Sequence, residues 1–449
     1  MSAGLGAVLG ACSDAPPEST QPAAAKPNIV LIMSDDLGYE AIGCYGGMSY
    51  KTPNVDRLAA TGVRFTHAYA QPLCTPTRMQ LMTGQYNFRN WMAFGVMDPS
   101  EVTIGHTMQQ AGYRTCISGK WQLYSYNPPD FEPEWRGKGM PPEQAGFDDW
   151  FLWHARHTEE KGSRYAKPVI LDNGKPVENT EDLYGPDLYT AHINEFMEGH
   201  VRDHADQPFF VYYPMALTHG PFNPTPHSAD WATGDRLKSD PKKYFGDMVE
   251  YMDEVIGRIV AKVDELGVRE NTLILYYSDN GSPKETASMM GEAEVKGGKG
   301  DPTDAGTRVP LIANWEGVTP GGAVVDDLID STDIYSTIVE LGGAKYPQGK
   351  MIDGVSFVPQ LKGQPGNAKE IIICWHDPRP GAAKENYTKL SLWARTKRFK
   401  LYDDGRLFDI ENDVLEQSPV APGTGSEEAE AARAKLAEAL KGIPRQPPT

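Results

Sequence analysis

Four apolar runs in this chain lead into side chains that can do chemistry. Asn28-Ile29-Val30-Leu31-Ile32-Met33 ends in Ser34-Asp35-Asp36, and Thr272-Leu273-Ile274-Leu275-Tyr276-Tyr277 ends in Ser278-Asp279-Asn280-Gly281. Three carboxylates and an amide carbonyl, converging, would make a site for a hard cation such as Ca2+ or Mg2+. Pro208-Phe209-Phe210-Val211-Tyr212-Tyr213 runs toward Leu217-Thr218-His219-Gly220-Pro221, and Arg114-Thr115-Cys116-Ile117-Ser118 toward Gly119-Lys120-Trp121. A single Asp after a strand usually caps the next helix or turn, and a single His or Lys there is usually a solvated loop residue. Four strand ends carrying acidic, amide, imidazole and ammonium groups point instead to one pocket, although spacing alone names no reaction.

A fifth segment, Pro72-Leu73-Cys74-Thr75-Pro76-Thr77-Arg78-Met79-Gln80-Leu81-Met82-Thr83-Gly84, has the features of a helix start. Pro76 suits a first turn, and Arg78 falls four residues after Cys74, on the same face. A group at position 74 would then sit at the positive end of the helix dipole, where anions are favoured. The plainer alternative is a buried structural Cys with Arg78 in a surface ion pair.

The elements that must position these groups follow from periodicity. Short continuous apolar runs alternate with amphipathic stretches, which predicts βαβ units and strands buried on both faces of a mainly parallel sheet. In such sheets ligands bind beyond the carboxyl ends of the strands. The chain has 449 residues, 40% of them apolar, enough for one large domain or two unequal ones. With 43 Lys plus Arg against 61 Asp plus Glu, the net charge of −18 argues against nucleic-acid binding through phosphates. It leaves an anionic substrate open, because a few cations at a pocket mouth set the local field. The five cysteines (Cys12, Cys44, Cys74, Cys116 and Cys374) show no CxxC or Cys/His metal spacing. Cys116 and Cys374 lie in apolar runs and read as inert core residues.

Cys74-Thr75-Pro76-Thr77-Arg78, closed by Thr83-Gly84, resembles the C-x-P-x-R signature of the type I (formylglycine-dependent) sulfatases. Asp35-Asp36-Leu37-Gly38-Tyr39 with Gly43-Cys44-Tyr45-Gly46 resembles that family's opening metal motif. Thr52-Pro53-Asn54-Val55-Asp56-Arg57-Leu58-Ala59, Gly119-Lys120-Trp121, Thr218-His219-Gly220-Pro221, Ser278-Asp279-Asn280-Gly281 and Lys299-Gly300 then follow in the family's order, so the resemblance spans about residues 27–415. It implies an alkaline phosphatase-like α/β fold: a large mixed, mainly parallel sheet between helices, with a smaller C-terminal subdomain of antiparallel sheet plus helix. It also implies a sulfuric ester hydrolase acting on a sulfated small-molecule or carbohydrate substrate. One Ca2+ would be held by Asp35, Asp36, Asp279 and Asn280, with residue 74 as a further ligand. Cys74 would be oxidised to formylglycine by a maturation enzyme, one hydroxyl of the aldehyde hydrate being the nucleophile and the second expelling sulfate. Arg78 would stabilise that nucleophile, Lys120 and Lys299 would hold sulfate oxygens, and His219 with Lys299 would assist the leaving oxygen.

Three residues depart from the family pattern. Gln122 follows Gly119-Lys120-Trp121 where His is frequent, and Gln cannot accept a proton at neutral pH. Thr77 replaces a smaller residue before Arg78. Asp304-Ala305-Gly306 stands where Glu-Gly-Gly is common, before Arg308-Val309-Pro310. A phosphate or phosphonate ester hydrolase of the same superfamily is the nearest rival reading, disfavoured by Cys74. A non-catalytic sulfated-glycan-binding protein is a second rival, motivated by Gln122.

Domain boundaries are expected at residues 1–27, 28–365 and 366–449. The first segment carries Leu9-Gly10-Ala11-Cys12, which resembles a lipobox, followed by a flexible tether. This predicts an exported protein, periplasmic or lipid-anchored through Cys12, although no Lys or Arg precedes the short apolar stretch. In the last segment, residues 389–410 predict hairpin strands, and Glu427 to Leu440 a helix capped by Ser426. Thr332 to Leu341 predicts an amphipathic helix. Specificity is expected in loops 124–168 and 222–245, where Trp135, Trp150, Trp153 and Trp231 could stack on sugar rings or pack the core.

Overall fold

The computed structural model describes residues 26–125, 135–156, 161–377 and 390–446. The lipobox-like segment with Cys12, and most of the tether after it, lie outside the described residues.

The described residues include sixteen strands and nine α-helices. The strands in chain order are β1 Asn28–Ser34, β2 Val63–Tyr69, β3 Arg114–Lys120, β4 Asp149–Trp153, β5 Ile170–Asp172, β6 Lys175–Pro176, β7 Phe209–Pro214, β8 Thr272–Ser278, β9 Ala287–Met290, β10 Ala293–Lys296, β11 Leu311–Trp315, β12 Ala323–Asp330, β13 Ile372–His376, β14 Ser391–Arg395, β15 Phe399–Tyr402 and β16 Leu407–Asp409. The helices are α1 Pro53–Ala60, α2 Cys74–Thr83, α3 Ile104–Gln110, α4 Gly185–Asp203, α5 Pro241–Glu265, α6 Asp304–Thr307, α7 Ser331–Leu341, α8 Val358–Leu361 and α9 Glu427–Leu440. Ten strands form one sheet in the order β12-β2-β11-β8-β1-β7-β3-β4-β5-β6. Its centre, β8-β1-β7-β3-β4, is parallel, while β11 runs antiparallel to both β8 and β2. A smaller antiparallel sheet, β13-β14-β15-β16, follows with α9 against it, and β9 pairs with β10 as a separate hairpin.

The parallel centre explains why its sequence reads as unbroken apolar runs. Every residue of β1 and of β8 is buried. Alternate side chains of a strand point to opposite faces. Ile29, Leu31 and Met33 accordingly join one core cluster with residues of α2, α3 and α7, whereas Val30 and Ile32 join another with residues of α1, α4 and α5. Parallel pairing also brings the carboxyl ends of β8, β1, β7 and β3 to a single edge, as the geometry of such sheets requires.

Two helices differ from a simple one-sided pattern. α2 is buried along its whole length, so its polar residues are internal. α7 begins at Ser331 and is buried from there through Val339, including Ser331, Thr332 and Ser336. Its amphipathic sequence therefore covers more than one packing surface, with α2, α3, α8 and β12 all against it. At the far end of the chain, Ser426 accepts the amide of Ala429 and starts α9 as its residue type dictates.

The turn after β1 contains one costly group. Glu40 is buried, and its Oε2 has no hydrogen-bond partner. Burial raises its carboxyl to about 7, against a smaller opposing hydrogen bond from Ser282. A carboxyl whose folded pKa lies above its unfolded value binds more protons in the folded state. Stability is therefore highest below the unfolded pKa, about 4.5, and falls as pH rises toward 7. The expected loss across that window is about 3 kcal/mol. Glu40→Gln removes the titration, so urea melts from pH 4.5 to 8 are expected to show a flatter stability profile than the parent. Parallel profiles would rule out Glu40 as the source.

Candidate active site

Asp35 and Asp36 follow β1 directly, and Asp279 and Asn280 follow β8. All four are buried. Asp36 has a positive φ of 61°, which turns the chain so that its amide donates to Asp279 Oδ1 at 3.0 Å. Asn280 Nδ2 donates to Asp36 Oδ1 at 2.8 Å. Cys74 is the first residue of α2, and Arg78 lies one turn further along. Arg78 donates to Asp279 Oδ2 through Nε at 3.2 Å and Nη2 at 2.9 Å, and lies 3.7 Å from Asp35 Oδ2. The Thr77 hydroxyl donates to the Asp279 carbonyl oxygen at 2.6 Å, which locks the start of α2 to the end of β8.

Lys120, the last residue of β3, places Nζ 2.6 Å from Asp35 Oδ2. Two residues on, Gln122 adopts a positive φ of 54°, and its Oε1 accepts from the Cys74 thiol at 3.5 Å. In the loop after β7, His219 donates from Nδ1 to the Gly220 carbonyl, which leaves Nε2 facing Asp36 Oδ2 at 3.6 Å. Tyr165 Oη, 2.6 Å from the carbonyl oxygens of Ala216 and His219, holds that loop. Lys299 donates to Asp36 Oδ2 at 2.5 Å. Its loop is pinned by the amides of Lys299 and Gly300, which donate to the carbonyls of Ser282 and Pro72. A buried Asp304–Arg395 pair at 2.6 Å adds a brace from the small sheet. All ten residues singled out in the sequence thus meet in one cluster.

The electrostatics of this cluster have a direction. Burial alone would raise Asp35, but Lys120, then His219, Arg78 and Lys299, hold it well below the usual carboxylate range. Burial raises Asp36 despite Lys299, and burial with the Asp35 charge raises Asp279 to about 8. Burial and Lys299 push His219 well below its ordinary value, so Nε2 is an acceptor near neutral pH. Two of three carboxyls thus bind protons more tightly than usual, chiefly because burial penalises their charged form. The oxygens Asp35 Oδ1 and Asn280 Oδ1 are both buried without a hydrogen-bond partner. Orphaned hard-oxygen ligand atoms beside three buried carboxylates fit a divalent cation of the Ca2+ or Mg2+ type. Asp35, Cys74 and Asp279 offer ligand atoms within 4.8 Å of one another, as do Asp35, Asp36 and His219.

The sequence reading missed Lys161 and Arg164. Burial, with Arg164, Lys120 and Lys299, lowers the Lys161 ammonium to about 8, which ties it electrically to the site. The Arg164 guanidinium stacks 4.0 Å over the Trp153 ring, and its charge also acts on His219. Both cations fall in the 124–168 loop, where no motif or period marks a charge as inward-facing. Trp150 and Trp153 are core residues of β4 rather than exposed platforms.

A buried acidic cluster beside a helix-borne residue 74, at the carboxyl edge of a mixed sheet, defines an alkaline phosphatase-like ester hydrolase. The sulfatase family model matches residues 27–344. Human (Homo sapiens) arylsulfatase A is 33% identical over 76% of this chain and 68% of its own length. N-acetylgalactosamine-6-sulfatase of Canis lupus familiaris is 30% identical over 84% of this chain and 74% of its own length. The crystal structure of Ps i-CgsB superposes with a TM-score of 0.74 at 25% identity, covering 92% of each chain. The phosphonate monoester hydrolase of Agrobacterium radiobacter shares the fold with a TM-score of 0.67 at 21% identity, covering 92% of this chain and 95% of its own. The chain belongs to the sulfatase family and is a sulfuric ester hydrolase.

Proposed function

We propose that this enzyme hydrolyses a sulfate ester of a carbohydrate, with residue 74 working as formylglycine beside a Ca2+ ion held by Asp35, Asp36, Asp279 and Asn280. The observation that carries this reading is the position of Cys74. It starts a buried helix within hydrogen-bond reach of Gln122, in the cluster that also holds Arg78, Lys120 and Lys299. Formylglycine would supply a hydrated aldehyde as nucleophile, and the cation would polarise the groups around it. The carbohydrate class is supported by a neighbour of the same fold, a protein solved with its substrate D-glucosamine-2-N,6-O-disulfate. Export, with an anchor at Cys12, belongs to the same proposal.

Within that reading the chain's own residues divide the work. Arg78, fixed by two hydrogen bonds to Asp279, keeps a positive charge against residue 74 without moving. Lys120 and Lys299 hold sulfate oxygens. Lys299 also donates the proton toward the leaving oxygen, and His219 Nε2, unprotonated near neutral pH, assists as a hydrogen-bond acceptor beside it. The test is peptide mass spectrometry of active protein from a host that has the maturation enzyme. Residue 74 is expected to have exchanged its thiol for an aldehyde. Full activity from wholly unmodified Cys74 would overturn the mechanism, and faster turnover of a matched phosphate or phosphonate ester would overturn the substrate class.

Gln122 is expected to orient the hydrate at residue 74 while water or a site carboxylate takes the proton. Gln122→Ala should lower kcat about tenfold, close to the worth of one hydrogen bond. Gln122→His restores a titratable group and should give kcat a new pH dependence if sulfate expulsion limits the rate. Parent-like kinetics of Gln122→Ala at every pH would remove this role.

A further inference from the structure

A second cluster of ligand-type side chains lies away from the acidic cluster. Cys116 on β3 and Asp149 on β4 are register partners in parallel strands, so they sit side by side. α4 packs across β3 and β4 and brings in His192. The His192 ring stacks on Phe151, two residues along β4 from Asp149 and so on the same face, at 4.7 Å between centroids. Its Nε2 lies 3.4 Å from Asp149 Oδ2, yet makes no well-directed hydrogen bond. The other carboxylate oxygen, Oδ1, is occupied by Asn173 Nδ2 at 2.7 Å. Such a bond orients a carboxylate and leaves its partner oxygen to serve as a ligand.

We propose that Cys116, Asp149 and His192 form a second metal site, for a cation of the Zn2+ class, which clamps α4 to the β3–β4 pair. One ligand atom from each residue lies within 4.8 Å of the other two. A tetrahedral zinc spaces its ligands about 3.5 Å apart, so the His192–Asp149 edge already has the right size, and side-chain rotation at Cys116 closes the rest. Thiolate, imidazole and carboxylate select a borderline cation over Ca2+ or Mg2+, which take oxygen ligands. The Asp35, Asp36, Asp279 and Asn280 set at the strand ends offers oxygen ligands and has the opposite preference, so the two sites sort different ions. Asp149 and His192 keep side-chain exposures of 21% and 15%, which leaves a path for the ion and for a water as fourth ligand. Cys116 precedes Lys120 by four residues along β3, roughly 13 Å away, too far to share an ion with the strand-end cluster. Binding must release the thiol proton, which burial of Cys116 otherwise retains.

The test uses the full chain carrying Cys74→Ser, which removes the other buried thiol beside carboxylates, with Ca2+ saturating. Co2+ titration is expected to give one tightly bound equivalent with a thiolate-to-cobalt absorption band, displaced by Zn2+, and Zn2+ should raise the melting temperature. Cys116→Ser and His192→Gln should each abolish the band and the Zn2+-dependent shift. Cys116 is fully buried, so His192→Gln, at a partly exposed position, decides the matter if Cys116→Ser fails to fold. A folded Cys74→Ser protein that shows no thiolate band at saturating Co2+ overturns the site. So does a band that survives His192→Gln.

Discussion

Asp279→Ala is expected to abolish Ca2+ binding at the strand-end cluster and to lower kcat/KM on a sulfate ester about a thousandfold or more. Asp279 has three partners, and the variant breaks two of these links at once. Its Oδ2 accepts both hydrogen bonds from Arg78, its Oδ1 accepts the Asp36 amide, and its carbonyl oxygen accepts from Thr77. Only the carbonyl bond survives truncation to Ala. Arg78 would then be a buried cation with Asp35 at 3.7 Å as its nearest anion. Breaking such a pair costs roughly 3–5 kcal/mol of stability. Loss of one electrostatic group at a reacting centre typically costs 10^2–10^3 in rate, and loss of a cation together with a misplaced Arg78 exceeds that. Asp279→Asn separates the two effects. It keeps an acceptor for Arg78 but removes a negative charge from the cation site, so it should fold like the parent and bind the cation far more weakly. Metal analysis, thermal melts and kcat/KM on the three proteins check this. Parent-like activity of Asp279→Asn after exhaustive chelation, with metal absence confirmed, would count against the cation site.

What could be read from sequence was the part of the structure with local causes. β1 and β8 declare themselves through unbroken apolar runs, because strands buried on both faces need no polar alternation. Ser426 and the first turn of α9 obey capping chemistry that acts within three residues. Asp35, Asp36, Cys74, Lys120, Asp279 and Asn280 were legible as candidate site residues because they end or follow a strand or start a helix, where a parallel sheet collects its chemistry; Arg78, Gln122, His219 and Lys299 were legible only through their motifs. Other features depend on contacts between distant segments. Lys161 and Arg164 acquire their orientation from Trp153 and from the loop around Tyr165, which no local period encodes. Cys116 does pack in the core, but its register with Asp149 and the placement of His192 join segments separated by more than thirty residues. The support that Asp304 gives the Lys299 loop comes from Arg395 in the small sheet. A one-residue departure from a familiar motif therefore says little about the loop until its distant partner is known.

Lys120→Met is expected to lower kcat by about 10^2–10^3 without opening a cavity, because it removes charge and keeps volume. Lys120 is fully buried, and its Nζ is the closest cation to Asp35. Among the charges that overcome the burial of Asp35, Lys120 acts most strongly. Its loss therefore has two consequences. Asp35 keeps only Arg78, at 3.7 Å, as a close cation, and the proton affinity of its carboxyl rises. The sulfate group also loses the donor that β3 supplies. If that donor strengthens its bond as charge builds on the sulfate oxygens, the loss falls on kcat more than on KM. If it binds ground state and transition state alike, KM rises and kcat does not. Lys120→Arg should not rescue, since a planar guanidinium does not fit a fully enclosed ammonium site. An unchanged kcat in folded Lys120→Met, with cation content equal to the parent, would reassign Lys120 to the structural support of Asp35.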